Sequence, residues 1–191
     1  MKVERLTGGA IDQALDDLAR LRVAVFRAFP YLYDGDPDNE RHYMRSYRDN
    51  PSAVLVVARD QDDVVGAATG MPLEHHGDAA QLSGQTPPVQ QIFYCAESVL
   101  LPEYRGRGLG HAFFDHREEE ARAQGFEYSL FCGVVRPVDH PMRPPTYRPL
   151  DGFWRKRGYA PLPGVTATFE WTDIGDTQPS PHSLQAWCRR L

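Results

Sequence analysis

The sequence of 191 residues lacks features that would each point to a particular class of protein. Its three cysteines, Cys95, Cys132 and Cys188, are odd in number and widely spaced, which argues against a disulfide framework and predicts reduced, buried thiols. No segment approaches the ~18 consecutive apolar residues of a membrane-spanning helix, and the first residues carry no apolar signal-peptide core. We therefore expect a cytoplasmic protein without a membrane partner.

The chain also lacks an excess of basic residues. Its formal net charge of −5 exerts no overall attraction on nucleic acids or anionic membranes, so any site for a polyanion must be local. Apolar residues make up 41% of the sequence, which is enough for one well-packed α/β domain and too little for two. We expect residues 1–191 to form a single domain without a nucleic-acid partner.

What the chain does contain is a glycine-rich segment, Arg105 to Gly110, between an apolar strand-like run and a helix-like segment that begins near Leu109. Its glycines allow positive φ and let a ligand approach the backbone closely. The amides of a first helical turn have no intrahelical acceptor and, together with the helix dipole, favour an anion. Arg107 adds a second mobile cation beside Arg105. The segment is therefore predicted to bind phosphate groups.

Other glycine-rich motifs match the flanking residues less well. A P-loop would end in Gly-Lys-Ser or Gly-Lys-Thr, whereas Gly110 is followed by His111 and Ala112. A dinucleotide fingerprint needs Gly-x-Gly-x-x-Gly, and the spacing here is Gly-x-Gly-x-Gly. An arginine-glycine RNA-binding segment would lie in low-complexity sequence, which is absent here. A nucleotide-binding protein of unrelated chemistry stays open as a rival.

The pattern Arg/Gln-x-x-Gly-x-Gly/Ala, met by Arg105, Gly108 and Gly110, resembles motif A of the GNAT superfamily of acyl-CoA-dependent N-acyltransferases. The segment from Phe153 to Tyr159 is similar to a second signature of that family. The resemblance implies acetyl-CoA as co-substrate, with its pyrophosphate at the turn and its pantetheine arm along the preceding strand. The cofactor residues that it implies are Val99, Leu100, Leu101, Arg105, Gly106, Arg107, Gly108, Leu109, Gly110 and Trp154.

The order of predicted elements is similar to the GNAT fold as well. Periodicity and turn residues predict strands at 2–6, 53–58, 64–71, 92–101, 128–134 and 166–171, and helices at 12–28, 39–48, 109–124 and 151–157. One face of the first helix is apolar apart from Arg22. Residues 72–89 are expected to be an exposed loop, and 183–189 an amphipathic segment that packs Leu184 and Trp187 inward. The fold class is thus α/β (α+β): a mixed, mostly antiparallel twisted sheet of six to seven strands, with helices on both faces and a central parallel pair.

Acyl transfer to an amine needs a proton acceptor, a donor for the oxyanion and a proton for the thiolate. Glu97 is unexpected in an apolar strand, and the resemblance implies a glutamate there, so we predict it as general base or amine anchor. A backbone N–H near Val99 or Leu100 would face the oxyanion. The resemblance also implies a tyrosine where this chain has Trp154, and indole cannot act as a phenol does. Tyr147 is the predicted substitute as proton donor to the thiolate, and His140 is the second candidate.

The acceptor is predicted to be a small-molecule or peptide amine bordered by Tyr31, Tyr33 and Glu74, which lie in two loops. Small polyamines, antibiotic amines, amino acids and protein amines all remain open, as does the choice between monomer and homodimer. His75 and His76 lack the spacing of metal ligands, so we expect exposed histidines and no metal. Because of Trp154, a coenzyme A-binding sensor without turnover is the alternative function.

Overall fold

The computed structural model describes residues 1–191, with nine strands and four α-helices. In chain order the elements are β1 (Lys2–Thr7), α1 (Leu15–Phe26), α2 (Pro37–Arg48), β2 (Val54–Asp60), β3 (Asp63–Pro72), β4 (Leu82–Ser83), β5 (Ile92–Tyr94), β6 (Ser98–Leu100), α3 (Leu109–Ala123), β7 (Tyr128–Val134), α4 (Asp151–Lys156), β8 (Ala160–Trp171) and β9 (Ser180–Arg190). No α-helix combines the length and the apolar composition needed to cross a bilayer. The three cysteines are buried, as predicted, and are not bonded to one another.

The strands form one mixed sheet in the order β1-β2-β3-β5-β7-β9-β8-β4, with β6 also paired to β3. Only β5 and β7 run parallel, which confirms the mostly antiparallel sheet with a central parallel pair. The sheet has nine strands instead of six to seven for three reasons. The predicted strand 92–101 is divided in two, the predicted loop 72–89 contributes β4, and the segment 183–189 lies within a strand.

Both faces of the sheet are covered by helices, as predicted. Side chains of a strand alternate between the two faces, and β2 shows this clearly. Leu55 and Val57 pack into a core with α1 and α2, whereas Val54 and Val56 pack into a second core with α3. Alternation of apolar residues on both faces explains why β2 is a nearly uninterrupted apolar run.

The helix boundaries differ from the predicted ones where a local interaction decides them. Residues Gly8–Ala14 form a 3₁₀ helix, so α1 begins three residues later than expected. The second helix begins earlier, at Pro37, because the Asp36 carboxylate accepts hydrogen bonds from the amides of Asp38 and Asn39 at 2.9 and 3.0 Å. Both changes fix the ends of helices that lie over the site described below.

The C-terminal segment forms β9, which lies between β7 and β8. Leu184 and Trp187 are both buried, as predicted, but on opposite faces of the sheet. Leu184 packs with Ala186 and Cys188, and Trp187 packs with the α3 side. The segment alternates with the period of a strand and completes the sheet instead of covering it.

A break divides the predicted central strand at Cys95, Ala96 and Glu97. The amide of Cys95 donates to the carbonyl of Leu130 at 2.8 Å, and beyond this bond β5 and β7 separate. From there β6 pairs with β3 alone, while the second half of β7 pairs with β9 alone. A wedge therefore opens in the middle of the sheet, between β6 and the end of β7.

Arg117 stabilises this break from the face of the sheet that α3 covers. Its side chain is fully buried and has no carboxylate partner, and its guanidinium donates to the carbonyls of Thr69 and Glu97 at 3.1 and 3.0 Å. A third bond reaches the Ser98 hydroxyl at 2.9 Å. The helix thus supplies donors to strand carbonyls at the point where the ladder ends.

Candidate active site

The glycine-rich turn joins β6 to α3 through a short 3₁₀ helix. Gly106 and Gly108 have φ of +75° and +83°, and a Cβ built on either would meet no atom within 4 Å. Gly108 is the N-cap residue of α3 and adopts the left-handed conformation that glycine tolerates best. The concave side of the turn is therefore open to solvent and free of side chains.

The backbone amides of this turn have no acceptor within the protein. Arg105 donates to Pro102, and His111 and Ala112 both donate to the carbonyl of Gly108, but the amides of residues 106–110 make no such bond. Adjacent free amides at the start of a 15-residue helix favour an anion, because the helix dipole adds to their partial charges. Phosphate binding at this turn stays a prediction.

The two arginines of the turn are exposed at its edge. Arg105 donates from Nε to the carbonyl of Leu100 at 3.3 Å, and Arg107 donates to the carbonyl of Glu103 at 3.0 Å. Arg107 also lies over the ring of Tyr104, with 5.2 Å between its guanidinium carbon and the ring centroid. Neither guanidinium pairs with a carboxylate, so no neighbouring side chain compensates the positive charge of either arginine.

The backbone of β6 offers groups to the wedge at alternate residues. The amides of Thr69 and Leu101 donate to Glu97 and Val65 across the antiparallel pair with β3. Bonded positions alternate in such a ladder, so Val99 and Leu101 direct their backbone groups toward β3. Leu100 directs its N–H and C=O away from β3, into the wedge. Of the three strand residues predicted along the pantetheine arm, Leu100 alone can donate a free amide there.

Beside the wedge lies a cavity of about 480 Å³ between α1, α2 and the strand ends. It meets the strand break at Ala96 and Glu97 and meets β7 at Cys132. The cavity is acidic, and its carboxylates belong to Asp34, Asp36, Glu40, Asp78, Glu97 and Glu170. Arg22 is the one basic residue in its lining. The predicted acceptor residues Tyr31 and Tyr33 also line it, together with Tyr43 and Trp171.

Arg22 joins the two most buried carboxylates of the cavity. Its Nη1 donates to Oε2 of Glu97 at 2.6 Å, and its Nε donates to Glu40. Thr69 donates to the other oxygen of Glu97 at 2.8 Å, and Tyr33 to that of Glu40 at 2.7 Å. Burial alone would lower the pKa of Arg22, but Glu97 and then Glu40 raise it above its ordinary value, so the guanidinium stays charged.

This arrangement gives Glu97 a different environment from the one the sequence suggests. The side chain lines the cavity, as expected for a site residue, but both of its oxygens already accept hydrogen bonds. Arg22 was visible in the sequence as the one charged residue on the apolar face of the first helix. That interruption is the signal that could have identified the ion pair.

Glu74 does not border the cavity. It lies in a separate shallow depression with His75, Glu120 and Gln124. The reason is local, because residues Leu73–His75 form a 3₁₀ helix that buries Leu73 and turns Glu74 the other way. The expectation that both histidines are exposed is wrong for His76, which is 6% exposed and hydrogen-bonded.

The two aromatic residues predicted near the thiol lie outside the cavity lining. Trp154 of α4 packs on β7, with ring centroids 4.9 Å from Phe131 and 5.0 Å from Trp187. It lies on the same face of the sheet as α3, where the glycine-rich turn begins. Tyr147 makes an edge contact with Phe29 at 4.6 Å, and burial raises the pKa of its phenol. A raised pKa weakens Tyr147 as a proton donor.

No cluster of three or more His, Cys, Asp or Glu side chains is arranged to hold a metal ion.

Comparison with known families gives one match, to the model described as the acetyltransferase (GNAT) family, over residues 16–144. This range is about two thirds of the chain and contains both the glycine-rich turn and the strand break. It ends before α4, so the resemblance of the segment 153–159 stands outside it. No curated protein sequence matches the chain.

Solved structures with the same fold are numerous and distant in sequence. The ribosomal-protein-alanine N-acetyltransferase of Brucella melitensis superposes with a TM-score of 0.64 at 15% identity, over all of both chains. The putative acetyltransferase yncA of Salmonella typhimurium, solved with acetyl-CoA, gives 0.61 at 14% identity, over all of this chain and 95% of its own. A putative acetyltransferase of Acinetobacter baylyi gives 0.65 at 12% identity, over all of this chain and 92% of its own. At these identities the similarity establishes the fold.

Proposed function

Because the chain belongs to the acetyltransferase (GNAT) family, we propose that it transfers an acetyl group from acetyl-CoA to a primary amine. The observation that carries this proposal is the continuity of the site. A turn of free amides leads into a wedge in the sheet, and the wedge meets an acidic cavity at Ala96 and Glu97. The three parts suit a diphosphate, an extended arm and a cationic amine, respectively.

In this proposal the diphosphate of acetyl-CoA binds at Arg105–Gly110, where the amides of 106–110 lack protein acceptors. The bound co-substrate supplies a thioester carbonyl for attack. Leu100 turns its N–H into the wedge and would donate to the oxygen of that carbonyl as it becomes an oxyanion. Trp154 would close the side of the wedge formed by β7.

The charges of the cavity favour one class of acceptor. Six carboxylates line it against one arginine, and that arginine is already paired with Glu40 and Glu97. An acceptor that carries its own carboxylate would find no free cation and would be repelled. A cationic amine is attracted by the carboxylates and by the ring faces of Tyr31, Tyr33 and Trp171. We therefore assign a cationic amine without a carboxylate as acceptor, with Glu97 as its anchor.

The departing thiolate needs no dedicated acid in this scheme. A thiol of this type has a pKa of about 8.5, so solvent can protonate it at neutral pH. Tyr147 lies outside the cavity lining, and burial raises its pKa, which makes it a poor donor.

Binding and turnover test the proposal separately. Thermal unfolding with acetyl-CoA at 100 times its Kd should show stabilisation of about 2.7 kcal/mol, whereas ATP and NAD should give none. A coupled assay for free thiol with a panel of amines should then detect transfer to diamines and not to α-amino acids. Binding without transfer to any amine would favour the sensor, and no binding of acetyl-CoA would refute both functions.

A further inference from the structure

A second polar cluster consists of Asp78, His76 and Tyr94, of which Asp78 and Tyr94 line the cavity. Tyr94 is the last residue of β5, and its hydroxyl donates to Oδ2 of Asp78 at 3.0 Å. His76 accepts at Nδ1 from the backbone amide of Asp78 at 3.0 Å, and the same nitrogen lies 3.4 Å from Oδ1 of Asp78. Nε2 of His76 is 2.8 Å from the hydroxyl of Tyr47. The cluster fixes the Asp78 carboxylate at the cavity wall.

Asp78 differs from every other carboxylate of the cavity. Glu40 and Glu97 are held by Arg22, with side chains only 4% and 5% exposed. Asp34, Asp36 and Glu170 are exposed at the rim or are used as a helix cap. Asp78 has a side chain that is 20% exposed and has no Arg or Lys partner. It is therefore the inner carboxylate with lone pairs free to accept a proton.

Resting on the function proposed above, we propose that Asp78 is the general base and that Tyr94 and His76 position it. The acceptor enters as an ammonium and gives one N–H proton to Asp78, which becomes the neutral acid. The freed lone pair forms the C–N bond at the thioester carbonyl, and the π electrons move to oxygen. When the C–S bond breaks, the carbonyl re-forms and the thiolate leaves with its electron pair. The nitrogen still carries a second acidic proton, which passes to the thiolate or to water and leaves the neutral amide. The proton on Asp78 is released to water, so the carboxylate is regenerated.

The surroundings of Asp78 suit this role. An alkyl ammonium has a pKa near that of lysine, about 10.4, so at neutral pH little of it is reactive and a fixed acceptor speeds the step. Burial raises the pKa of Tyr94 well above its ordinary value, so its phenol stays protonated and can donate to the carboxylate. His76 is the other titratable side chain in direct contact with Asp78.

The buried thiol and phenols near this carboxylate keep one charge state across the neutral range. Burial raises the pKa of the Cys132 thiol to about 12 and raises those of the phenols from α2 and the adjoining loop. These phenols are Tyr31, Tyr43 and Tyr47. Arg22, Glu40 and Glu97 form an ion-paired triad in the same cavity.

The test is Asp78→Asn, an isosteric change that keeps an oxygen for the Tyr94 hydroxyl. With a diamine acceptor, kcat should fall by about 10²–10⁴-fold, the usual contribution of general-base catalysis. The remaining rate should rise about tenfold per pH unit up to the pKa of the amine, because only free amine then reacts. The affinity for acetyl-CoA and the Tm should stay at wild-type values.

Two further variants separate catalysis from structure. Glu97→Gln, which alters the anchor, should mainly raise the KM of the amine and leave the shape of the pH profile unchanged. Tyr94→Phe should lower kcat about tenfold and shift the profile without a change in acetyl-CoA affinity. A wild-type kcat and pH profile in Asp78→Asn would refute the role of Asp78 while the transferase stands. A wild-type protein that transfers acetyl to no amine would instead refute the transferase, and this role with it.

Discussion

Arg22 occupies a position on α1 where an apolar side chain would be expected, and two buried carboxylates depend on it. A buried ion pair adds little net stability, but the loss of one partner leaves charges without compensation. This asymmetry explains how a charged residue fits on an apolar face, because Arg22 compensates the buried carboxylates of Glu40 and Glu97.

Replacement of Arg22 by Met should therefore lower the free energy of unfolding by about 3–5 kcal/mol at pH 7. Urea unfolding at pH 7 measures the loss. Arg27→Met, which breaks an exposed pair with Asp34, is the matched control and should cost less than about 1 kcal/mol. Equal losses in the two variants would contradict the argument.

Site residues whose role depends on the local chain conformation could be predicted from the sequence. Site residues that only tertiary contacts bring to the cavity could not. The glycines of the turn and the polar interruption at Arg22 leave a signal in the chain itself. Asp78 and His76 leave none, since residues 72–91 have no apolar periodicity and are ordered by packing against β5 and β8. The charge of Glu74, in the same segment, favours it as an acceptor residue. Its 3₁₀ turn instead directs the side chain into a separate depression outside the cavity.

At the scale of elements, the same glycine of the turn before α3 determines both the backbone conformation there and the proposed binding of the diphosphate. Gly108→Ala should cost about 1–2 kcal/mol of stability, because φ of +83° disfavours a Cβ, and the methyl group should also obstruct the diphosphate. Gly125→Ala is the matched control, since that glycine has φ of +85° and equally open surroundings at the far end of the helix. Calorimetry with acetyl-CoA should find weaker binding for Gly108→Ala alone.

The strand break is the element that the sequence could not reveal. Residues 92–101 are uniformly strand-like apart from Glu97, and the separation of β5 from β6 depends on the donors that Arg117 brings from α3. Residues 128–134, in contrast, form a strand with the predicted boundaries because all seven residues pair with β9 in one regular ladder. Interactions across about 20 residues of sequence therefore decide where the ladder stops.

Arg117→Met should destabilise the protein by about 2–5 kcal/mol, because two buried carbonyls would lose their charged donor. Arg122→Met on the same helix is the control, since Arg122 is half-exposed and lies 3.9 Å from Glu118. Denaturant unfolding compares the two. A cost below about 1 kcal/mol for Arg117→Met would show that the break does not need this residue.

At the scale of the whole molecule, charge is distributed unevenly between the turn and the cavity. The net charge of −5 includes an acidic cavity, while Arg105 and Arg107 stand at the turn without carboxylate partners. The turn therefore presents positive charge and the cavity negative charge, although the chain as a whole is acidic. The sign of the total charge predicts the absence of general polyanion binding, not the absence of a local site.

Salt should therefore weaken the binding of both substrates. Between about 0.01 and 0.15 M ionic strength the screening length falls from about 30 to 8 Å. The KM of a diamine should rise several-fold over this range. The KM of a monoamine of similar size should rise less, because its single charge interacts with fewer of the rim carboxylates. Steady-state kinetics at fixed pH provide the comparison. Equal salt dependence for the two amines would argue against the acidic rim as a selector.

The sheet consists of two halves that share only β5, a strand of three residues. It joins β3 through two residue pairs and β7 through three, while β6 and the end of β7 have no ladder between them. The core below α1 and α2 lies on one side of this seam only, whereas the core on the α3 face joins both halves through Phe93, Phe131 and Trp187. The backbone hydrogen bonds that cross the seam are therefore few. Amide hydrogen exchange should therefore be fastest, among the central strands, in β5, and slower once a co-substrate bridges the wedge. Under the proposed function, coenzyme A would enter and leave at this seam, so the few backbone pairs of β5 would set how readily the product departs.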